Sequence, residues 1–167
     1  MSRDLTKLHA DKSAELDLEH FLPYRLNVLA EIVSTSLSQI YSQRYGIAIP
    51  EWRVIATLGQ YPSMTAKQVG QHSHMHKTKV SRAVTTLDKK GLVERTANSA
   101  DLREEFLSLS AEGRKIYDQV VPAALTFSDR LFDTLSETER RALDAILTKL
   151  SSRSTVLAEE IAKEHDT

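Results

Sequence analysis

The chain contains no cysteine among its 167 residues, and this absence excludes several kinds of chemistry at once. Disulfides, thiolate metal ligands and cysteine-based redox sensing or nucleophilic catalysis all require a thiol. We therefore expect a protein of the cytoplasm, where disulfides are rare.

Glycine is also scarce, with five residues in the whole chain. No P-loop, dinucleotide-binding fingerprint, nucleophile elbow or HExxH motif occurs, so we predict a protein that is not an enzyme and uses no cofactor. No apolar run approaches the roughly 20 residues that a membrane-spanning helix needs. The N-terminal residues include no apolar signal core, so export is not expected.

Positive charge is not in excess overall, because the net charge is −1, but it is concentrated in one segment. Residues 76–95 contain six cations and two acids, which makes this segment +4 and leaves −5 for the remainder. A basic segment on a mildly acidic body is typical of a surface that binds a phosphate backbone. The alternative is a solvated helix face that happens to be basic.

The apolar periodicity predicts a long first helix over residues 18–45, which Gly46 ends. A second apolar row adjoins the first, so this helix must bury more than one face. The two rows consist of Leu22, Leu26, Leu29, Val33, Leu37 and Ile40, and of Phe21, Val28 and Ile32.

The middle of the chain predicts three short helices followed by a hairpin. Pro50 opens the first of these helices and Thr65 caps the second. The third begins after residue 76, buries Val80, Val84 and Leu87, and stops at Gly91. The period then changes to two, which predicts strands over 92–97 and 104–110 joined by a polar turn. A helix–turn–helix followed directly by a two-stranded wing is a winged helix.

Two further helices complete the chain. Ser110 caps the first, in which Pro122 predicts a kink. Ser136 and Glu139 form a capping box for the second. The terminal helices expose more apolar surface than one small domain can cover, so they predict dimerisation. The predicted fold is mainly α, with a flexible arm at 1–17, a winged helix-turn-helix domain at 49–110, and long N- and C-terminal dimerisation helices at 18–48 and 111–167.

An ordered set of short motifs resembles the MarR family of winged-helix transcriptional regulators over about Leu18 to Leu150. Two segments, IPEWRVIATL at 49–58 and FLPYRLNVLAEIVS at 21–34, are similar to a subgroup that regulates the catabolism of aromatic and phenolic compounds. The motifs of the wing are GLVER at 91–95, Asp101 with Arg103, Leu109 with Ser110, and Gly113.

The fourth helix is the predicted recognition helix, which would enter the major groove of double-stranded DNA. Arg82 or a lysine suits guanine, and Thr78 and Ser81 suit phosphates or short base contacts. The resemblance implies that the wing tip enters the minor groove, with Arg103 inserted and Asp101 orienting it. Without the resemblance, a salt bridge within the turn would be the favoured explanation of these two residues. The predicted DNA contacts are Lys77, Thr78, Lys79, Ser81, Arg82, Thr85, Arg95, Asn98, Asp101 and Arg103.

Three alternating histidines, His72, His74 and His76, precede the recognition helix. They would share one face of a strand, but here they straddle the end of one helix and the start of the next. We favour polar residues of a DNA-facing turn and keep a metal-responsive regulator as the alternative. His76 stands at the N-cap, where Asp or Ser is the usual residue.

The resemblance implies a homodimeric repressor that binds a pseudo-palindromic operator and is released by a small effector. The subgroup suggests an aromatic carboxylate or its CoA thioester. Arg25 would pair with the anion, although an intramolecular salt bridge is the simpler expectation. For Tyr24 and Trp52, a core role is likewise the simpler expectation. A winged helix that serves only protein interaction is a further alternative. The candidate ligand-binding residues are His20, Tyr24, Arg25, Trp52 and Arg53.

Overall fold

The computed structural model describes residues 15–99 and 104–165. Its described residues are mainly helical, as predicted, and divide after Asp118 into two compact units. The helices are α1 (Leu22–Tyr45), α2 (Ile49–Gln60), α3 (Ala66–Ser73), α4 (Lys77–Lys89), α5 (Ala111–Phe132) and α6 (Glu137–His165), and the strands are β1 (Met64–Thr65), β2 (Val93–Ala97) and β3 (Glu105–Leu109).

The core of the first unit lies where α2, α3 and α4 meet the sheet. The apolar row predicted for α4 is confirmed, because Val80, Val84 and Leu87 are almost completely inaccessible to solvent. This packing fixes which face of α4 points outward. The most fully buried side chains of these elements are Val54, Ile55, Leu58, Val69, Val80, Leu87 and Leu107.

The predicted helix ends are also confirmed. The Thr65 hydroxyl accepts from Gln68 N at 3.3 Å, and the Gln68 amide oxygen accepts from Thr65 N at 2.8 Å. Gly46 and Gly91 adopt left-handed backbone angles, with φ of 61° and 68°, which cost glycine no steric strain. Helix caps and turns of this kind can be predicted from the sequence because their hydrogen-bond partners lie within a few residues of one another.

The start of the first helix was predicted one turn too early. The structure begins α1 at Leu22, after a turn at residues 18–20. Pro23 explains the difference, because proline fits the first turn of a helix but lacks the N–H that an interior position donates. Residues 1–14 of the predicted arm lie outside the described residues.

The sheet contains one strand more than the predicted hairpin. β3 lies in the centre and pairs antiparallel with β1 and β2, in the order β1-β3-β2. Leu107 stands opposite both Met64 and Arg95. With two residues, β1 is too short to show a period-two pattern, and the sequence prediction missed it.

Long apolar surfaces remain on the helices at the two ends of the chain. In α1, Leu29 and Ile32 are 56% and 58% exposed, although both belong to the predicted apolar rows. In α6, which begins at the predicted Ser136–Glu139 capping box, no residue is buried. No helix among the described residues is long and apolar enough to cross a membrane.

Candidate DNA-binding surface

The turn between α3 and α4 is built without glycine. His74 occupies the left-handed C-cap of α3, with φ of 51°, a conformation in which histidine is several-fold enriched among non-glycine residues. Met75 N donates to Gly70 O at 3.0 Å, and the Met75 side chain is buried. The anchored turn sets the angle at which α4 leaves α3.

His76 caps α4 in place of the usual Asp or Ser. Its Nδ1 accepts from Thr78 N at 3.4 Å. The imidazole therefore satisfies one of the free N–H groups in the first turn, and a departure from the usual cap residue has not removed the cap interaction.

The outward face of α4 carries the residues of this helix that were predicted to contact DNA. Val80, Ala83, Val84 and Leu87 are buried on the opposite face. The cationic members of the outward face form no ion pair with any described residue, so their charge is available to a polyanion. The exposed residues are Lys77, Thr78, Lys79, Ser81, Arg82 and Thr85.

A groove of about 540 Å³ lies between the first turn of α2 and the outward face of α4. Its one acid, Glu51, is nearly buried and already accepts from Lys90 Nζ at 3.1 Å. The open part of the groove is therefore cationic and suits an anion such as a backbone phosphate. Its charged and imidazole side chains are Glu51, Arg53, His74, His76, Lys79 and Arg82.

The base of the wing is held by ion pairs within the chain. Arg95 of β2 contacts Asp88 at 3.1 Å and Glu105 at 2.8 Å. The hydrogen bond to Glu105, followed by that to Asp88, raises the pKa of Arg95 above its usual value. Asn98 N donates to Glu104 O at 3.2 Å, which closes the hairpin beyond β2. Asp101 and Arg103, predicted to contact DNA at the wing tip, lie outside the described residues.

The three histidines have three different environments. The His72 ring packs edge-on against Tyr61, with centroids 4.6 Å apart. His74 adopts the left-handed turn, and His76 caps α4. Among the described residues, no group of three or more His, Asp or Glu side chains is arranged to hold a metal ion. The environments found are those expected for a structural turn.

The structure does not bring all the candidate ligand-binding residues together. Trp52 is a core residue, 8% exposed and stacked between Tyr41 at 5.1 Å and Tyr117 at 6.4 Å. Arg53, on the same helix, lines the 540 Å³ groove. Trp52 therefore stabilises the first unit through its stacking, the core role that the sequence left open.

The other candidates lie near the start of α1. His20 Nδ1 contacts Asp17 at 2.9 Å, and Tyr24 is 43% exposed, so Tyr24 is not a core residue of the single chain. Arg25 forms no ion pair with any described residue, so the intramolecular salt bridge considered for it is not seen there. By helical spacing it shares a face with the exposed Leu29 and Ile32.

The long-range contacts that Lys90 makes at the end of α4 were not predicted from the sequence. Lys90 Nζ donates to Gly46 O at 2.6 Å and to Glu51 Oε2 at 3.1 Å, and the same carboxylate oxygen accepts from Ala48 N at 3.1 Å. One ammonium thus ties the end of the predicted recognition helix to the junction of α1 and α2. The partners are 39 and 44 residues apart, so no local pattern could reveal them.

Comparison with known proteins places this arrangement in one family. Residues 47–104, from the start of α2 to the wing, match the MarR family model. A MarR/EmrR family transcriptional regulator from Acinetobacter sp. ADP1 is similar at 25% identity and a TM-score of 0.76, over 84% of this chain and 99% of that one.

Two further proteins are similar. An uncharacterized HTH-type transcriptional regulator from Bacillus cereus is 25% identical over 122 residues, 72% of this chain and 81% of the relative. NadR, solved in complex with 4-hydroxyphenylacetate, has the same fold, with a TM-score of 0.67 and 24% identity over 84% of this chain and 96% of that one. With its helix–turn–helix and wing in the order of these regulators, the chain is similar over this region to the MarR family, whose members are transcriptional regulators and not enzymes.

Proposed function

We propose that the protein is a cytoplasmic repressor that binds a pseudo-palindromic operator as a homodimer and associates with the nucleoid when bound to DNA. The observation that carries the proposal is the outward face of α4, where Lys77, Lys79 and Arg82 are exposed and unpaired with any described residue. Two such helices in a dimer would enter successive major grooves about one helical turn apart. The resemblance assigns Asp101 and Arg103 to the adjacent minor groove.

Fluorescence anisotropy on DNA from beside the protein's own gene would test this function. The affinity should fall steeply as salt rises, because each neutralised phosphate releases counterions. The titration would be run with EDTA and with stoichiometric zinc. Binding that depends on zinc would favour the metal-responsive alternative. Binding that is absent in both buffers, on fragments covering the whole neighbouring region, would favour a protein-interaction module.

Arg82→Ala should weaken operator binding by about 1–3 kcal/mol, because the guanidinium on the N-terminal half of α4 can make paired hydrogen bonds to guanine. Lys89→Ala is the matched control, since it removes the same charge from the last turn of α4. Anisotropy at one salt concentration would measure both variants. Equal affinities for Arg82→Ala, Lys89→Ala and the wild type would contradict base reading by α4.

We also propose that release from DNA is triggered by a small aromatic carboxylate or its CoA thioester bound near the start of α1. Arg25 lies on the exposed apolar face of α1 and is unpaired with any described residue. If that face is covered in a dimer, an isolated guanidinium there would need an anion, because a buried unpaired charge is strongly destabilising. An aromatic carboxylate supplies the anion and an apolar ring together.

Arg25→Gln should abolish the response to such a carboxylate while leaving operator affinity within about twofold, since Arg25 lies outside the winged domain. The first probe is 4-hydroxyphenylacetate, the compound bound by NadR. The measurement is the concentration of each phenolic carboxylate that halves operator binding. An unaltered response in Arg25→Gln would remove Arg25 from the effector site and leave the DNA-binding proposal untouched.

A further inference from the structure

Arg95 joins three elements through one guanidinium group. Its Nε donates to Asp88 Oδ2 in the last turn of α4 at 3.1 Å. A second nitrogen, Nη1, donates to Glu105 Oε2 at the start of β3 at 2.8 Å. The base of the wing is therefore connected to the recognition helix by ion pairs as well as by the chain itself.

The strand register shows which way Arg95 points. Arg95 stands opposite Leu107, which is 1% exposed, and opposed residues of an antiparallel pair project from the same face. Glu105 lies two residues from Leu107 and shares that face. Arg95 therefore projects from the core-facing side of the sheet, towards α4, while the neighbouring Glu94 projects from the other side.

The local charge balance also matters. Two carboxylates, Asp88 and Glu105, surround one guanidinium, so this group of three side chains carries a net charge of −1. A cation already paired in this way offers little attraction to a phosphate, unlike the unpaired Arg82 on the outward face of α4.

We infer that Arg95 is a positioning residue that clamps the wing to the recognition helix, and that Asp88 and Glu105 withhold it from the DNA backbone. This role replaces the DNA contact predicted for Arg95 from the sequence, and it rests on the DNA-binding function proposed above. Fixing the wing against α4 holds the two elements at the relative position in which the wing would enter the minor groove and α4 the major groove. Withholding a cation from the backbone lowers the affinity that is independent of sequence.

The first test removes the clamp without changing the net charge. The double variant Arg95→Gln/Glu105→Gln should bind the operator about threefold to tenfold more weakly, the range expected for losing two partly exposed ion pairs. Its log–log slope of affinity against salt should equal that of the wild type. Loss of a phosphate contact would instead reduce the slope by about 0.9 for each protomer bound. That smaller slope would overturn the inference.

The second test releases Arg95 from its shorter ion pair. Glu105→Gln should bind DNA of unrelated sequence more tightly, with a slope steeper by up to about 0.9 for each protomer. Glu94→Gln is the matched control, because Glu94 is exposed on the same wing and forms no ion pair with any described residue. An equal effect in Glu94→Gln, or no effect in Glu105→Gln, would overturn the withholding role.

The wild-type salt series separates these failures from a failure of the proposed function. A wild-type affinity that did not fall with salt would contradict DNA binding itself, and the clamp with it. A steep wild-type slope combined with a reduced slope in Arg95→Gln/Glu105→Gln would contradict the clamp alone. A steep wild-type slope that the double variant preserves supports both only if that variant also binds the operator more weakly, and a preserved slope at wild-type affinity would contradict the clamp.

Discussion

Gly113→Ala should lower the free energy of unfolding by about 3 kcal/mol, at the upper end of the cost of overpacking. A Cβ atom at this position would lie 2.0 Å from Leu92 O and 3.0 Å from the Leu92 carbonyl carbon. Both atoms belong to the backbone, so no rotation of a side chain relieves the overlap. The clash must also exceed the gain of up to about 1 kcal/mol that alanine gives over glycine within a helix.

The hydrogen bonds around Ser110 prevent the two backbones from separating cheaply. Ser110 N donates to Leu92 O at 3.1 Å, and the Ser110 hydroxyl donates to Gly91 O at 2.7 Å. The same hydroxyl accepts from Gly113 N at 3.0 Å. Moving α5 away from the start of β2 would break this set, which caps α5 and joins it to the wing.

Gly46→Ala is the matched control for Gly113→Ala. A Cβ at Gly46 meets nothing within 4 Å, so only the left-handed backbone, with φ of 61°, opposes alanine there. That strain costs about 1–2 kcal/mol. Thermal unfolding followed by circular dichroism, at one protomer concentration, should place Gly113→Ala about 6–12 °C below the wild type. Equal midpoints for the two variants would show that the close approach is not a constraint.

The contacts between Leu92, Ser110 and Gly113 also explain part of a motif found in the sequence. Leu109, Ser110 and Gly113 carried part of the resemblance to the MarR family. Ser110 was predicted as a helix cap, and the structure confirms that its hydroxyl accepts from Gly113 N. Why glycine follows three residues later could not be predicted, because the atom that excludes a side chain belongs to Leu92, 21 residues earlier in the chain.

Other features likewise could be predicted where neighbouring residues determine them and could not be predicted where distant residues do. The buried row of Val80, Val84 and Leu87 follows from helical periodicity, so the outward face of α4 was predicted correctly. The partners of Arg95 and Lys90 lie on other elements and are brought near only by the fold. From the sequence alone, a cation in a basic segment is therefore predicted to contact DNA, even where the structure pairs it with carboxylates.

These ion pairs change how much of the positive charge of the basic segment is available to DNA. Residues 76–95 carry a net charge of +4 in the sequence, but Lys90 and Arg95 are neutralised by carboxylates of the same chain. The cations that remain unpaired with described residues include Lys77, Lys79 and Arg82, all on the first half of α4. The positive charge is thus concentrated where a recognition helix meets base edges, and less of it is spread over surfaces that attract DNA of any sequence.

Ile32→Glu should convert the proposed dimer to a monomer and weaken operator binding by about 100-fold or more, because linking two binding modules raises affinity by roughly 10²–10⁴. Ile32 is 58% exposed in the single chain, so the substitution barely disturbs the fold of the protomer. In a two-fold symmetric interface each substitution occurs twice, and each buried carboxylate without a partner costs several kcal/mol.

Asn27→Glu is the matched control for Ile32→Glu. It adds the same charge to the same helix, but five residues earlier, on a different face of α1. Sedimentation equilibrium would measure the dimer, and anisotropy would measure binding to the full operator and to an isolated half-site. We expect Ile32→Glu to lose the preference for the full operator while its half-site affinity equals that of Asn27→Glu, because the α4 surface is unchanged. An intact dimer with full operator affinity would show that the exposed face of α1 is not where two protomers meet. A monomer that still bound the full operator at wild-type affinity would show instead that one recognition helix suffices.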